Sequence, residues 1–174
     1  MNRRTLLLAG IGLGLGQADA SSIRPRAGDL FVKPGDASKT PLTPRDISAG
    51  APQTLAWPMD PADRTVRSGS RLNQVILIRL DPNALSAETR ARSAAGVVAY
   101  TSICTHTGCD VETWLAAEQV LSCPCHDSAF DPKDGGRVVD GPAPRPLPAL
   151  PLAIVDGKLA AAQPFTAPIG FEKG

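Results

Sequence analysis

Histidine, cysteine and aromatic residues are all scarce in this chain. Its 174 residues include two histidines and four cysteines, and aromatic side chains make up 4% of the total. Both histidines lie in one short stretch, and the sequence contains no Ser-His-Asp pattern, so a histidine-based hydrolytic mechanism is not indicated. The sequence also lacks a P-loop, a GxGxxG motif and internal repeats, which argues against nucleotide-binding folds and repeat proteins.

An excess of charge of one sign is missing as well. The chain has 18 basic and 17 acidic side chains, and its formal net charge is +1. Without residues 1–20, which contain Arg3, Arg4 and Asp19, 16 side chains of each sign remain. A neutral chain of this kind does not present the basic field that nucleic-acid binding needs, so a nucleic-acid partner is not expected.

Long apolar segments are absent after the first 20 residues, whereas 17 prolines and 16 glycines are present. This composition favours loops and short strands over long helices. Residues 84–95 predict one short helix with Ser86 as its cap. Apolar runs bounded by turn residues predict strands at 74–80, 96–102, 111–114, 119–122, 137–139, 150–155 and 158–161, the last two joined by Asp156-Gly157. The pattern indicates an all-β protein, an antiparallel β-sandwich.

All four cysteines and both histidines fall within the 23 residues from 104 to 126. Two boxes contain them, CTHTGC at 104–109 and CPCHDSAF at 123–130. Thiolates and imidazoles are ligands of zinc and of iron–sulfur clusters, and such clustering is improbable by chance. The two boxes therefore predict a metal or redox site.

Two kinds of metal centre are compatible with the spacing. Each box offers a cysteine and a histidine, and two thiolates with two imidazoles suit a structural tetrahedral zinc ion. Zinc leaves two cysteines without a role, and zinc fingers place their histidines together rather than one per box. A mixed 2Fe–2S cluster, with two cysteines on one iron and two histidines on the other, explains more of the pattern.

The motifs C-x-H-x-G-C and C-P-C-H-x-S resemble those of Rieske iron–sulfur proteins, specifically the disulfide-containing branch found in cytochrome bc-type complexes and in arsenite oxidase small subunits. The resemblance is dense over about 104–144 and weak elsewhere. It implies one 2Fe–2S cluster, with Cys104 and Cys123 on one iron and His106 and His126 on the other.

The resemblance also assigns roles around the cluster. It implies a disulfide between Cys109 and Cys125, and a hydrogen bond from Ser128 to a bridging sulfide that stabilises the reduced cluster. The segment GPAP at 141–144 is similar to the proline-rich loop that covers the cluster. The implied fold is a Rieske-type antiparallel β-sandwich with a small inserted cluster-binding subdomain at about 102–145.

Three residues depart from the pattern of high-potential members of this family. Phe130 stands where those members have tyrosine, so a hydroxyl donor to a ligand sulfur is missing. Asp127 replaces the usual glycine and adds negative charge near the imidazoles, and Thr107 replaces a common leucine. Losing a donor and adding an anion both disfavour an extra electron. The expected midpoint potential lies below that of quinol-oxidising members, within the band of about −150 to +300 mV.

The start of the chain resembles an export signal. Arg3 and Arg4 precede an apolar stretch at 5–16, and the sequence ADA at 18–20 fits a cleavage site. The arginine pair with the residues after it resembles a twin-arginine motif. The uncharged stretch is shorter than the roughly 20 residues that a spanning helix needs, so cleavage is preferred to an uncleaved tether.

Three parts are expected along the chain: a twin-arginine-like signal peptide at 1–20, a Pro-rich extended arm at 21–62 that lies along the domain or a partner, and a Rieske domain at 63–174. The disulfide implied by the resemblance suits an oxidising compartment. The expected location is therefore the periplasm, with membrane association only through an uncleaved leader or a partner.

These observations predict an exported electron carrier, a small subunit or carrier for a periplasmic oxidoreductase. It is an electron-transfer component rather than a stand-alone enzyme, and no catalytic residue is assigned. Its expected partner is a redox protein, either a dehydrogenase large subunit or a cytochrome. Two alternatives stay open: the iron–sulfur subunit of a quinol–cytochrome c reductase, and a zinc-stabilised binding module.

Overall fold

The computed structural model describes residues 19–171 of the chain. The expected signal peptide, apart from its last two residues, lies outside the described residues. The strands and the helix of the described part are β1 Leu30–Val32, β2 Thr54–Met59, β3 Val75–Arg79, α1 Ala87–Ala91, β4 Val97–Thr101, β5 Thr113–Leu115, β6 Val120–Cys123, β7 Ser128–Asp131, β8 Arg137–Asp140, β9 Leu152–Val155 and β10 Lys158–Ala161. Single 3₁₀ turns occur at Ala20–Ser22, Pro44–Asp46, Arg71–Asn73 and Pro82–Ala84. Within residues 19–171, no helix combines the length and the apolarity needed to cross a membrane.

The strands form two antiparallel sheets. The base sheet has the order β4-β3-β2-β1-β10-β9, and the small sheet has the order β5-β6-β7-β8. Strand β3 reads VILIR, and its residues alternate between two cores: Ile76 and Ile78 face one, Val75 and Leu77 the other. Its continuous apolar run thus reflects a strand that is buried on both faces. The expected all-β, antiparallel fold is confirmed.

The small sheet is inserted between β4 and β9 and packs on the base sheet. Leu121 of β6 and Phe130 of β7 share a buried core with Ile76 and Tyr100 of the base sheet. The Tyr100 hydroxyl donates a hydrogen bond to the Pro132 carbonyl at 2.9 Å, and burial raises the pKa of this tyrosine. The small sheet, which carries the CPCHDSAF box, is therefore packed directly on the base sheet.

The stretch at 21–62, expected to be an extended arm, contributes to the base sheet. Its brief apolar pieces form β1 and β2, which pair with each other between β3 and β10. Phe31 and Ala56 are fully buried. Asp29, just before β1, forms a buried two-bond ion pair with Arg67, at 2.6 and 2.8 Å. Phe31 and Ala56 of this stretch therefore lie in the core, and the expected domain boundary at residue 63 stays a prediction.

Two local predictions are confirmed. Helix α1 is shorter than expected, but Ser86 is its N-cap, and the Ser86 side chain accepts a hydrogen bond from the Thr89 N–H. Strands β9 and β10 form the expected hairpin. Asp156 and Gly157 have φ values of 49° and 76°, and a two-residue turn with positive φ at both positions matches the twist of the flanking strands.

Candidate metal centre

The first cysteine–histidine box forms a closed loop after β4. The Cys104 N–H donates a hydrogen bond to the Cys109 carbonyl at 2.7 Å, and the Gly108 N–H donates one to the Cys104 carbonyl at 3.1 Å. Gly108 has a φ of 81°, which glycine adopts without strain. The chain therefore turns back within this first loop, and both of its cysteines stay close to each other.

The second box is a tight connection between two paired strands. Cys123 ends β6, Ser128 begins β7, and these two residues pair across the small sheet. Between them, Asp127 has a φ of 58°. This left-handed backbone is uncommon for residues with a side chain, although aspartate tolerates it better than most. The geometry explains why the family that the motifs resemble usually has glycine here.

The disulfide expected between the two loops is present. Cys109 and Cys125 are bonded, and their Cα atoms lie 6.5 Å apart. Cys104 and Cys123 are free and buried. The bond limits how far the two loops can separate and leaves two thiols available as ligands.

The two free thiols lie where a charged thiolate is costly. Cys104 and Cys123 are each 1% exposed. Burial raises the pKa of the Cys123 thiol, and the nearby Cys104 raises it further, whereas the N–H groups of Cys125 and His126 lower it. Two thiolates in this position repel each other, and a cationic metal group between them removes that repulsion.

The two imidazoles lie side by side. The ring centroids of His106 and His126 are 4.6 Å apart, and the ring planes meet at 86°. His126 is exposed and His106 is half-buried. Among residues 19–171, the Nδ1 atom of His106 has no hydrogen-bond partner, and it is buried. An unpaired buried nitrogen costs free energy, and binding a metal ion would satisfy it.

These donors suit a group of two metal ions better than a single ion. Zinc holds its ligands at about 2.0–2.3 Å, which brings the donor atoms within roughly 4 Å of one another. Among residues 19–171, the group of three donors within 4.8 Å of one another consists of Cys109, Cys123 and Cys125, and two of these are oxidised in the disulfide. The free cysteines and the histidines do not converge on one point. They fit a 2Fe–2S cluster, in which the two ligand pairs bind different irons.

A third segment, residues 141–144, packs against the second loop. Ser128 is fully buried, and its Oγ accepts a hydrogen bond from the Ala143 N–H at 3.2 Å. The hydroxyl proton remains available for another acceptor. A Cβ atom on Gly141 would lie 2.5 Å from the Cα of Ser128, so this close approach requires a glycine.

Thr105 is a residue of the first loop that the sequence analysis did not single out. It stands between two predicted ligands, it is fully buried, and its hydroxyl donates a hydrogen bond to the Arg145 carbonyl at 2.7 Å. This bond ties the first loop to the residue that follows the third segment. The sequence shows a hydroxyl side chain between a cysteine and a histidine. It does not show the hydrogen-bond partner of that hydroxyl, which lies 40 residues away.

The described residues define a class of protein: an antiparallel β-protein with disulfide-linked loops, two buried thiols and two adjacent imidazoles, a donor set that suits a metal centre. Comparison with known proteins agrees. The Rieske [2Fe-2S] domain family matches residues 73–151. The chain is 36% identical over 134 residues to the cytochrome bc1 complex Rieske iron–sulfur subunit of Streptomyces lividans, and the match covers 75% of this chain and 78% of that protein.

The chain belongs to the Rieske [2Fe–2S] family and carries one 2Fe–2S cluster. A putative respiratory nitrate reductase subunit Rieske of Haloferax mediterranei is 39% identical over 106 residues, which cover 60% of this chain but only 47% of that relative. A solved structure of a hyperthermophilic respiratory complex III is 26% identical, with a TM-score of 0.47 and coverage of 73% of this chain and 80% of that chain.

Proposed function

We propose that Cys104 and Cys123 ligate one iron, that His106 and His126 ligate the other, and that the chain carries single electrons. The proposal is supported by two buried thiols and two adjacent imidazoles on disulfide-linked loops. A bound 2Fe–2S cluster supplies a one-electron redox couple. The chain's own residues hold that cluster, tune its surroundings and present one side of it to a partner.

The imidazole side is the proposed site of electron exchange. His126 is exposed and His106 is half-buried, whereas both free cysteines are 1% exposed. Electron exchange requires a short path between two redox centres, so the partner docks where the imidazoles reach the surface. Thr107 and Pro124, one in each loop, are exposed beside the histidines and form part of that contact.

Three side chains near the centre set its potential. Ser128 uses its oxygen to accept from Ala143 and its proton to donate to a cluster sulfide, which favours the reduced state. Phe130 is fully buried and has no hydroxyl to donate, and Asp127 is exposed next to a proposed ligand. The midpoint potential is therefore below that of quinol-oxidising Rieske proteins.

The chain acts as an exported small subunit or carrier for a periplasmic oxidoreductase. Support comes from the twin-arginine-like start at Arg3 and Arg4 and from the disulfide between Cys109 and Cys125, since disulfides persist in oxidising compartments. A relative named as a putative nitrate reductase subunit supports a partner oxidoreductase of this kind. The partner is either a large subunit or a cytochrome.

A second candidate function is supported by the relatives. The Streptomyces lividans protein, which this chain covers over 78% of its length, is named a cytochrome bc1 complex subunit. In this reading the chain is the iron–sulfur subunit of a quinol–cytochrome c reductase, and an exposed imidazole such as that of His126 would contact quinol.

Substitution of the proposed ligands tests the cluster site. The variants His126→Ala and Cys104→Ser are expected to lose most of the iron and acid-labile sulfide that the wild-type chain contains when it is purified anaerobically. A double variant with Cys109→Ser and Cys125→Ser keeps all proposed ligands, so it is expected to bind the cluster and to lose it faster. An unchanged sulfide content in His126→Ala would contradict the proposal.

Fractionation of cells that express the full chain separates the two functions. If the chain is an exported carrier, the mature chain should lie in the soluble periplasm, copurify with an oxidoreductase subunit and support no quinol oxidation. Quinol-dependent reduction of the cluster in a membrane complex would support the second. Retention of the chain in the cytoplasm would contradict export.

A further inference from the structure

Two side chains from distant parts of the chain hold the first loop at Gly108. The Arg71 guanidinium donates one hydrogen bond to the Gly108 carbonyl at 2.8 Å and another to the Asp110 carboxylate at 2.7 Å. The Phe171 ring lies close to the same residue, because a Cβ atom on Gly108 would meet it at 3.3 and 3.5 Å. Two side chains that are far apart in sequence therefore contact one glycine.

The position of Phe171 is fixed by the segment that precedes it, residues 166–171. The Thr166 N–H donates a hydrogen bond to the Ala149 carbonyl at 2.9 Å, and the Thr166 hydroxyl accepts one from the Ala149 N–H at 3.0 Å. Further on, the buried Gly170 accepts a hydrogen bond from the Arg145 side chain at 2.5 Å. The segment is thus anchored to the protein body before Phe171 reaches the first loop.

Gly108 is a position of the first loop whose conformation depends on its surroundings. It has no side chain, its φ is 81°, and its N–H closes the loop on the Cys104 carbonyl at 3.1 Å. Glycine has more backbone freedom than any other residue, so local packing must hold it in one conformation. The neighbouring Cys109 carries the disulfide, and His106 lies two residues earlier.

We propose that Arg71 and Phe171 are positioning residues that clamp the first cluster loop at Gly108. The clamp keeps His106 and Cys109 in place when the cluster gains or loses an electron, and it limits the entry of water at the loop. This inference rests on the proposed cluster site. The clamp acts locally: Arg71 is 54% exposed and Asp110 53%, and ion pairs of that exposure contribute little to global stability.

Two matched pairs of variants test the clamp in the full chain. Arg71→Met removes both donors and keeps the apolar stem. Its control is Arg137→Met, which breaks an ion pair with Asp134 of similar exposure, 57% and 51%, and a longer ion pair with Asp131. Phe171→Ala removes the ring, and its control is Ile154→Ala, because Ile154 and Phe171 are 49% and 48% exposed. Arg71→Lys and Phe171→Leu are the conservative partners, and they should restore part of the effect.

Each variant is measured in three ways: hydrogen exchange of the 104–109 peptide by mass spectrometry, the midpoint potential, and the rate at which the visible absorbance of the cluster bleaches with a chelator. Arg71→Met and Phe171→Ala are expected to accelerate exchange at least about tenfold, to shift the midpoint and to speed bleaching. The controls should leave all three unchanged, and thermal unfolding should move equally in each pair.

Equal exchange, midpoint and bleaching in clamp variants and controls would overturn the clamp. Accelerated exchange would also overturn the clamp if the variant lost more global stability than its matched control and that loss accounted for the exchange, because the role would then be structural. If the wild-type chain contains no iron or sulfide, the proposed cluster site fails, and hydrogen exchange of the metal-free chain still decides whether Arg71 and Phe171 hold the loop.

Discussion

Substitution of Gly141 by alanine tests how closely the third segment covers the second cluster loop. A Cβ atom at this position would lie 2.5 Å from the Cα of Ser128 and 2.7 Å from both the Ser128 nitrogen and the Asp127 oxygen. All three atoms belong to the backbone, so no side chain can rotate away. Residues 141–144 must therefore move away from the second loop, which would break the hydrogen bond from the Ala143 N–H to the Ser128 hydroxyl.

The size of the effect follows from comparison with Gly157. The φ values of Gly141 and Gly157 are 78° and 76°, and nothing lies within 4 Å of a Cβ atom on Gly157. Alanine at either site incurs about 1–2 kcal/mol of left-handed backbone strain. Gly141→Ala adds about 1–3 kcal/mol of overpacking. Gly141→Ala is therefore expected to destabilise the protein by the larger amount, and the difference measures the contact.

Urea unfolding of both variants, followed by circular dichroism and by the visible absorbance of the cluster, gives the comparison. Gly141→Ala is expected to bleach at lower urea than Gly157→Ala and to lose its cluster before the base sheet unfolds, because the damage lies at the loops. If both variants lost the same stability and bleached together, the close approach of the third segment to Ser128 would be refuted.

Three further predictions concern the potential and the fold. Ser128→Ala removes the acceptor of the Ala143 N–H and the proposed hydrogen-bond donor to the cluster. With about 1.5 kcal/mol for such a bond, voltammetry should give a midpoint potential lower by about 60 mV. An unchanged midpoint potential would show that Ser128 does not donate to the cluster. Asp127→Asn keeps the side-chain shape but loses the charge, so the midpoint should rise by roughly 20 mV at low salt and by less at high salt; a salt-independent shift would exclude an electrostatic cause. Arg67→Met removes the ion-pair partner of the buried Asp29 carboxylate, which keeps, among the described residues, only a hydrogen bond from the Arg26 N–H. This should cost about 3–5 kcal/mol of unfolding free energy without moving the midpoint, and a loss below about 1 kcal/mol in urea would contradict it.

The candidate metal-binding side chains could largely be predicted from the sequence. Residue type decides which side chains can bind iron, and both boxes are contiguous, so the candidate donors stood out. The pairing of Cys109 with Cys125 followed from family resemblance, and the structure confirms it. The assignment of the four ligands stays a prediction that the ligand variants test.

The hydrogen bonds that hold the first loop in place could not be predicted from the sequence, because they join residues far apart in the chain. Thr105 reaches Arg145 over 40 residues, and Arg71 reaches Gly108 over 37. No local pattern marks such pairs. Only the folded chain brings them together.

The strands were predictable where apolar runs were long and ended in turn residues, as in β3 and in the β9–β10 hairpin. Strands β1 and β2 were less visible. β1 has only three residues, and β2 contains Pro58, which weakens any strand prediction. Burial of Phe31 by neighbouring strands outweighs the surrounding loop composition, which is why the stretch at 21–62 contributes strands to the base sheet.

Pulsed EPR of the reduced chain, grown with ¹⁵N-labelled histidine, tests the asymmetric ligand set most directly. Two histidine ligands are expected to give hyperfine couplings from two histidine nitrogens, and His106→Ala or His126→Ala is expected to abolish this two-nitrogen signal. A reduced cluster that shows no coupling to labelled nitrogen would contradict ligation by histidine.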